Sequence, residues 1–268
     1  MRRILLIVAY DGTSYHGWQV QDNGCTIEGE LNKAINRLTG EVVSVIGASR
    51  TDSGVHGLCN RAVFDTNSTV PAEKFAAALN SFLPDDIRVM ESKQVADEWH
   101  PRKCKTHKTY EYRIECGNIM SPLNARYAWY VRGPLDIENM KMAAGYLVGE
   151  HDFTSFCSIN GTALTNVRTI LGLDILVEGR KSNGYMESCL PRYNDEGSLV
   201  DGLITIRVTG NGFLYNMVRI IAGTLVAVGS GRFKPEMINA MLAALDRSTA
   251  GPTAPPQGLT LVRIEDVE

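Results

Sequence analysis

The order of hydrophobic periodicities predicts an α+β fold, with a largely antiparallel sheet backed by helices and two similar halves meeting near residue 105. Three observations carry this. Strand-like and helix-like segments run strand, helix, strands, helix, strand, and then repeat in much the same order. Thr109 to Cys116 alternate cleanly, with Tyr110, Tyr112, Ile114 and Cys116 on one face and Thr109, Glu111, Arg113 and Glu115 on the other. The 268 residues are 44% hydrophobic, enough for one large core or two modest ones. The halves are drawn at residues 1–104 and 105–268.

The elements follow in order. Ile4 to Tyr10 reads as a buried strand. Thr26 suits the N-cap of a helix carrying Ile27, Leu31, Ile35 and Leu38 on one face. A hydrophobic run, Val42 to Ile46, leads into a glycine-rich turn, Gly47 to Gly57, and Arg61 to Phe64 leads out of it as a second strand-like segment. Pro71 suits the first turn of a helix with Phe75, Ala78, Leu79 and Phe82 at spacings of three and four. After the alternating strand, Ile137, Met140, Ala144 and Leu147 mark a third helix. Val167 to Val177 and Leu203 to Val208 read as strands, followed by a long helix from Phe213 to Val228 and a shorter one from Pro235 to Leu245. Residues 179–200 break the pattern with a polar, glycine-bearing insert, read as a solvated hairpin tip or as a lineage-specific RNA contact.

Composition excludes several classes. The net charge of −3 and pI near 6.0 give no global basic field, so any nucleic-acid surface must be local. The opening MRRILLIVAYDG starts like a signal peptide, but Asp11-Gly12 cut its apolar run short and no small-residue cleavage site follows, which favours a buried first strand. No stretch approaches the roughly 18 apolar residues of a membrane span. The cysteines at 25, 59, 104, 116, 157 and 189 form no CxxC pair and no zinc-spaced cluster, so they read as reduced thiols of a cytoplasmic protein without a bound metal.

The turn GASRTDSGVHG carries one carboxylate, Asp52, flanked by Arg50, Ser53 and His56. A lone carboxylate beside an arginine suits a carboxylate nucleophile. A polar hairpin tip whose aspartate caps its own turn fits the same residues. Arg219 is the one charge in the apolar run from Phe213 to Val228. Buried, it requires a negative partner; on the helix surface, it requires none. His100 to Lys108, HPRKCKTHK, is the densest basic run, with Arg102, Lys103, Lys105 and Lys108 between Trp99 and Tyr110. Basic charge with aromatics nearby suits an RNA backbone and a stacked base, and a solvated linker is the plainer reading.

The octapeptide RTDSGVHG resembles the RTDAGVHA-type motif of TruA-type tRNA pseudouridine synthases, whose aspartate is catalytic. The resemblance extends in order through YDGTSYHGWQ (Tyr10 to Gln19), KTYEYR (Lys108 to Arg113), EHDFTSF (Glu150 to Phe156), NGFLYNMVR (Asn211 to Arg219) and GLTLV (Gly258 to Val262). It implies two pseudo-symmetric halves sharing one sheet around a central active-site cleft. It also implies that uridine becomes pseudouridine in the anticodon stem-loop of tRNA, at positions 38, 39 and 40, without cofactor, on a homodimer. Asp52 then carries the chemistry, Arg219 pairs with it, Tyr110 packs on the target base, and Arg50 holds the target nucleotide out of the stack, with His56 beside it in the substrate site. Arg102, Lys103 and Lys105 fall to the RNA backbone. Asn60 is a departure, since the resemblance leads one to expect glutamine there.

Other readings fit less of the chain. Asp52-Ser53-Gly54 matches the Asp-Ser-Gly of aspartic proteases, but those need two carboxylates sharing a proton; the chain holds one such motif, to which a dimer could add a second copy, and Arg50 would spoil the sharing. Gly210-Asn211-Gly212 opens a helix after a strand, yet Tyr215 occupies the third glycine position of a dinucleotide fingerprint. A non-catalytic RNA-binding module would require loss of a motif residue, and Asp52, Tyr110 and Arg219 are all present.

Overall fold

The structure is a computed structural model and describes residues 1–22, 24–159, 164–179 and 190–267. The fold class is α+β, as predicted, and the chain divides into two compact units, Met1–His107 with Thr260–Glu268, and Lys108–Leu259.

In the first unit the strands β1 (Arg2–Tyr10), β3 (His56–Thr66) and β4 (Ile87–Val95) are antiparallel in the order β4-β1-β3. The short β2 (Ile46–Gly47) lies antiparallel on β3, with Ile46 opposite Val63. Strand β11 (Leu259–Asp266) joins β3 in parallel, with Thr260 opposite His56 and Leu261 opposite Gly57. Helices α1 (Ile27–Thr39) and α2 (Phe75–Asn80) pack on this sheet through Ile27, Leu31, Ile35, Phe75 and Leu79, which meet Ile4, Leu6, Val8 and Phe64 in one buried cluster. The expected Thr26 cap is present, its hydroxyl accepting from Gly29 N at 3.2 Å, and the helix ends at Gly40 in the left-handed region.

One expectation for this unit changes, and one strand goes unmarked in the sequence. Val42 to Ile46 is strand only at its end, and Val42 is 95% exposed. Strand β4 is unmarked by alternation because a bulge interrupts it: Val8 opposes Val89 and Ile7 opposes Glu91, leaving Met90 over, so burial steps from Ile87 and Val89 to Ser92.

The second unit runs β5 (Thr106–Cys116), β10 (Leu199–Gly210), β8 (Val167–Glu178) and β7 (Gly149–Asp152) as an antiparallel path. A short β6 (Trp129–Val131) lies parallel to β5, and β9 (Arg192–Tyr193) folds back on β10. Of the polar insert, residues 190–200 form this small hairpin, and the expected tip at 180–189 lies outside the described residues. Helix α3 (Ile137–Gly145) buries Ile137, Met140 and Ala144, as its spacing predicts. Helix α4 spans Met217–Gly229, and α5 spans Met237–Ala244. The α4 start corrects the sequence reading by four residues. Asn216 sits at φ 61°, ψ 6°, a left-handed conformation that stops a helix from running through Phe213 to Asn216.

Candidate active site

Between β2 and β3, the loop carrying Asp52 is held by other parts of the first unit at almost every step. Ala48 N donates to Arg61 O at 2.7 Å. The fully buried Asn60 carboxamide closes on the next residue: Ser49 N donates to Oδ1 at 3.2 Å and Nδ2 donates to Ser49 O at 2.9 Å. Thr51 Oγ1 shares a 2.8 Å hydrogen bond with the Tyr10 hydroxyl, and Thr51 O accepts from Trp18 N at 3.0 Å. Beyond Asp52, Ser53 Oγ and Gly54 N both donate to Tyr15 O, at 3.1 and 3.2 Å. Asp52 itself is half-buried, and its carbonyl accepts from Val55 N at 3.1 Å.

The segment Tyr10 to Trp18 is therefore a cradle for the Asp52 loop, which explains why two motifs so far apart in sequence belong together. Two glycines make the approach possible. A Cβ on Gly17, at φ +87°, would stand 2.7 Å from Thr51 O, and one on Gly12 would stand 2.0 Å from Val55 O. His56 completes the junction. It is 4% exposed, its Nδ1 accepts from Gly12 N at 3.1 Å, and the same nitrogen lies 3.1 Å from Asp11 Oδ1.

Arg50, Arg102, Lys103 and Lys105 are exposed on the same unit. Although its side chain is largely exposed, partial desolvation, and then the charge of Arg50, hold the Arg102 guanidinium below its ordinary pKa, while Glu28 pulls it up. Glu28 in turn is pushed up by burial and eased down by the Val20 N–H, Arg102 and Arg50. The structure thus gathers Arg50, Arg102 and Glu28 into one electrostatic neighbourhood.

Tyr110 and Arg219 belong to the second unit. Tyr110 on β5 is 9% exposed, and its ring meets Phe213 edge-on at 5.2 Å. Two residues on, Tyr112 is fully buried with its hydroxyl donating to Pro255 O at 2.7 Å, and burial drives its pKa far upward. Arg219 is the half-buried residue of α4, among Met217, Val218, Ile220 and Ile221, all buried. Its Nε donates to Ala254 O at 2.8 Å and its Nη1 to Asn216 Oδ1 at 2.7 Å. Asn216 makes no cap to the helix with its side chain; instead it orients Arg219 and donates from Nδ2 to Ser158 Oγ at 2.9 Å.

Sequence reasoning gave no role to Asn216, Tyr10, Trp18 and Glu28, and read Asn60 only as a departure from the expected glutamine. An asparagine before an apolar helix is a signal, but the helix expected from Phe213 concealed it. Among the described residues no group of three or more His, Cys, Asp or Glu side chains could hold a metal ion, and no helix is long and apolar enough to cross a membrane.

Comparison with known proteins matches the profile described as tRNA pseudouridine synthase over residues 6–102 and 143–265. Among curated relatives, "tRNA pseudouridine synthase A" of Thermoanaerobacter pseudethanolicus is 45% identical over 264 residues, covering 98% of this chain and 99% of the relative. The proteins of the same name from Ruminiclostridium cellulolyticum and Brevibacillus brevis are 43% and 42% identical. The first alignment covers 98% of this chain and 99% of that relative, the second 97% and 98%.

Proposed function

The chain belongs to the tRNA pseudouridine synthase family, and from that premise we propose that it isomerises uridines at positions 38, 39 and 40 of the tRNA anticodon stem-loop, with Asp52 as nucleophile. The reaction breaks the bond between ribose C1′ and uracil N1, turns the freed base, and joins its C5 to C1′. The C5 proton then leaves and N1 ends protonated, so no electrons are gained or lost and no redox cofactor is required. Asp52 supplies the carboxylate that assists departure of the base. Arg219 keeps that carboxylate ionised, Tyr110 packs on the uracil, and Arg50 holds the nucleotide out of the stack. Arg102, Lys103 and Lys105 contact the RNA backbone, and the working unit is a cytoplasmic homodimer that needs no metal.

What supports the reading most is the immobilisation of the Asp52 loop. Its neighbours Ser49, Thr51, Ser53 and Gly54 are each tied by hydrogen bonds to Asn60 or to the Tyr10–Trp18 cradle. A carboxylate fixed in this way before substrate arrives suits catalysis by preorganisation.

The test is to incubate the protein with unmodified tRNA in EDTA and map pseudouridine by position. Product at the proposed positions is expected, and none across several tRNA species would overturn the reading. Asp52→Asn should bind tRNA and lose turnover. Activity within tenfold of wild type, a barrier change of about 1.4 kcal/mol, would place the nucleophile elsewhere.

A further inference from the structure

Arg168, the second residue of β8, takes no part in the chemistry above. It is half-buried, and its guanidinium is held by main chain: Nη1 donates to Thr165 O at 2.8 Å and to Val167 O at 2.6 Å. Among the described residues no carboxylate pairs with it, and burial lowers its pKa with only the Cys157 thiol drawing it back. A guanidinium cannot shed its proton near neutral pH, so the cost of removing it from water persists until an anion arrives.

The surroundings indicate which anion. Gly212 lies against this side chain, since a Cβ there would stand 3.6 Å from Arg168 Nε. The next residue of the strand is bound to the same loop, with Thr169 N donating to Asn211 Oδ1 at 3.0 Å and Asn211 N donating to Thr169 O at 3.1 Å. Phe213, which follows Gly212, places its ring against Tyr110. One short loop therefore connects an unneutralised cation to the tyrosine assigned to the target base. By contrast, Arg192 and Arg207 in the same unit are each engaged with a carboxylate, Asp201 at 2.6 Å and Glu111 at 2.8 Å.

We infer that Arg168 binds a backbone phosphate of the substrate RNA, beside the Tyr110–Phe213 pair. The place assigned to the phosphate rests on the proposed role of Tyr110, whereas the contact itself requires only that the substrate be RNA. Guanidinium is suited to it, because its fork of donors matches two phosphate oxygens while Nη1 stays anchored to the strand.

The experiment measures binding of unmodified tRNA against salt for the wild type, Arg168→Met, Arg168→Lys and Arg192→Met, with Asp52 intact throughout. Arg168→Met should weaken binding severalfold and lower the slope of log affinity against log salt by roughly 0.7 to 0.9. Arg168→Lys should keep the slope, and Arg192→Met should leave both quantities unchanged. An unaltered slope in folded Arg168→Met would overturn the proposal. So would an equal loss in Arg192→Met, which would mark a general charge effect. Should the methionine variant fail to fold, Arg168→Gln preserves a donor to the strand carbonyls and takes its place in the comparison. Binding slopes are independent of turnover, so failure here and failure of Asp52 as nucleophile are seen in different measurements.

Discussion

Asn60 and Ser49 face each other across the base of the Asp52 loop, and one buried carboxamide satisfies both the N–H and the C=O of the serine. The amide that departs from the expected glutamine is thus spent on the fold of the loop. Asn60→Leu leaves two buried main-chain groups without partners and should cost about 2–5 kcal/mol. Tyr10→Phe removes the hydroxyl that bonds Thr51 Oγ1 at 2.8 Å and accepts from Asn60 Nδ2 at 3.5 Å, and should cost about 0.5–1.5 kcal/mol. Urea unfolding of both variants measures the difference, and a leucine variant within 1 kcal/mol of wild type would show that the clamp is not what holds the loop.

Arg219→Met should fold, since methionine suits the apolar face of α4, although Asn216 Oδ1 and Ala254 O lose a donor. Removing the proposed counter-ion raises the Asp52 pKa, so the ionised fraction falls at the acid end of the range. Activity should therefore drop throughout and drop furthest as pH falls from 8 to 6. A rate profile over that interval unchanged from wild type would separate Arg219 from Asp52.

Neutralising Lys103 and Lys105 together should weaken tRNA binding and flatten its salt dependence. Two lost phosphate contacts lower the slope of log affinity against log salt by roughly 1.4 to 1.8. A slope that stays put would return this run to the role of a solvated connection.

The proposed homodimer with a shared RNA site can be tested by mixing two inactive proteins, Asp52→Asn and a variant neutralised at Arg102, Lys103 and Lys105. If a cleft draws on its neighbour's basic run, mixed dimers regain activity, because one cleft then has an intact aspartate and an intact neighbouring run. Full activity in a monomer isolated by dilution would defeat the idea.

Much of the fold was legible because its signals are local. The face of α1 follows from residue spacing and its start from Thr26; β5 follows from strict alternation. The errors also have local causes. Phe213 and Leu214 continue an apolar pattern that only the left-handed Asn216 interrupts, and the extra residue at Met90 shifts the period of β4. The site was legible as motifs but not as a mechanism of support. Asn60 meets Ser49 and His56 meets Gly12 only after the chain has folded back on itself, and nothing in a linear spacing records those partnerships. Arg168 escaped for a related reason, since its lack of an acidic partner is a property of packing.

The parallel pairing of β11 with β3 has a consequence for how the protein is made. Thr260 and Leu261 lie opposite His56 and Gly57, the residues that close the Asp52 loop. While the chain is still emerging from the ribosome, that stretch of β3 has an open hydrogen-bonding edge, available to any extended peptide nearby. The nascent first unit can bury its core between β1, β3 and the two helices long before this edge is covered. The strand that closes the Asp52 loop is therefore completed only when β11, far later in the chain, takes its place beside His56 and Gly57.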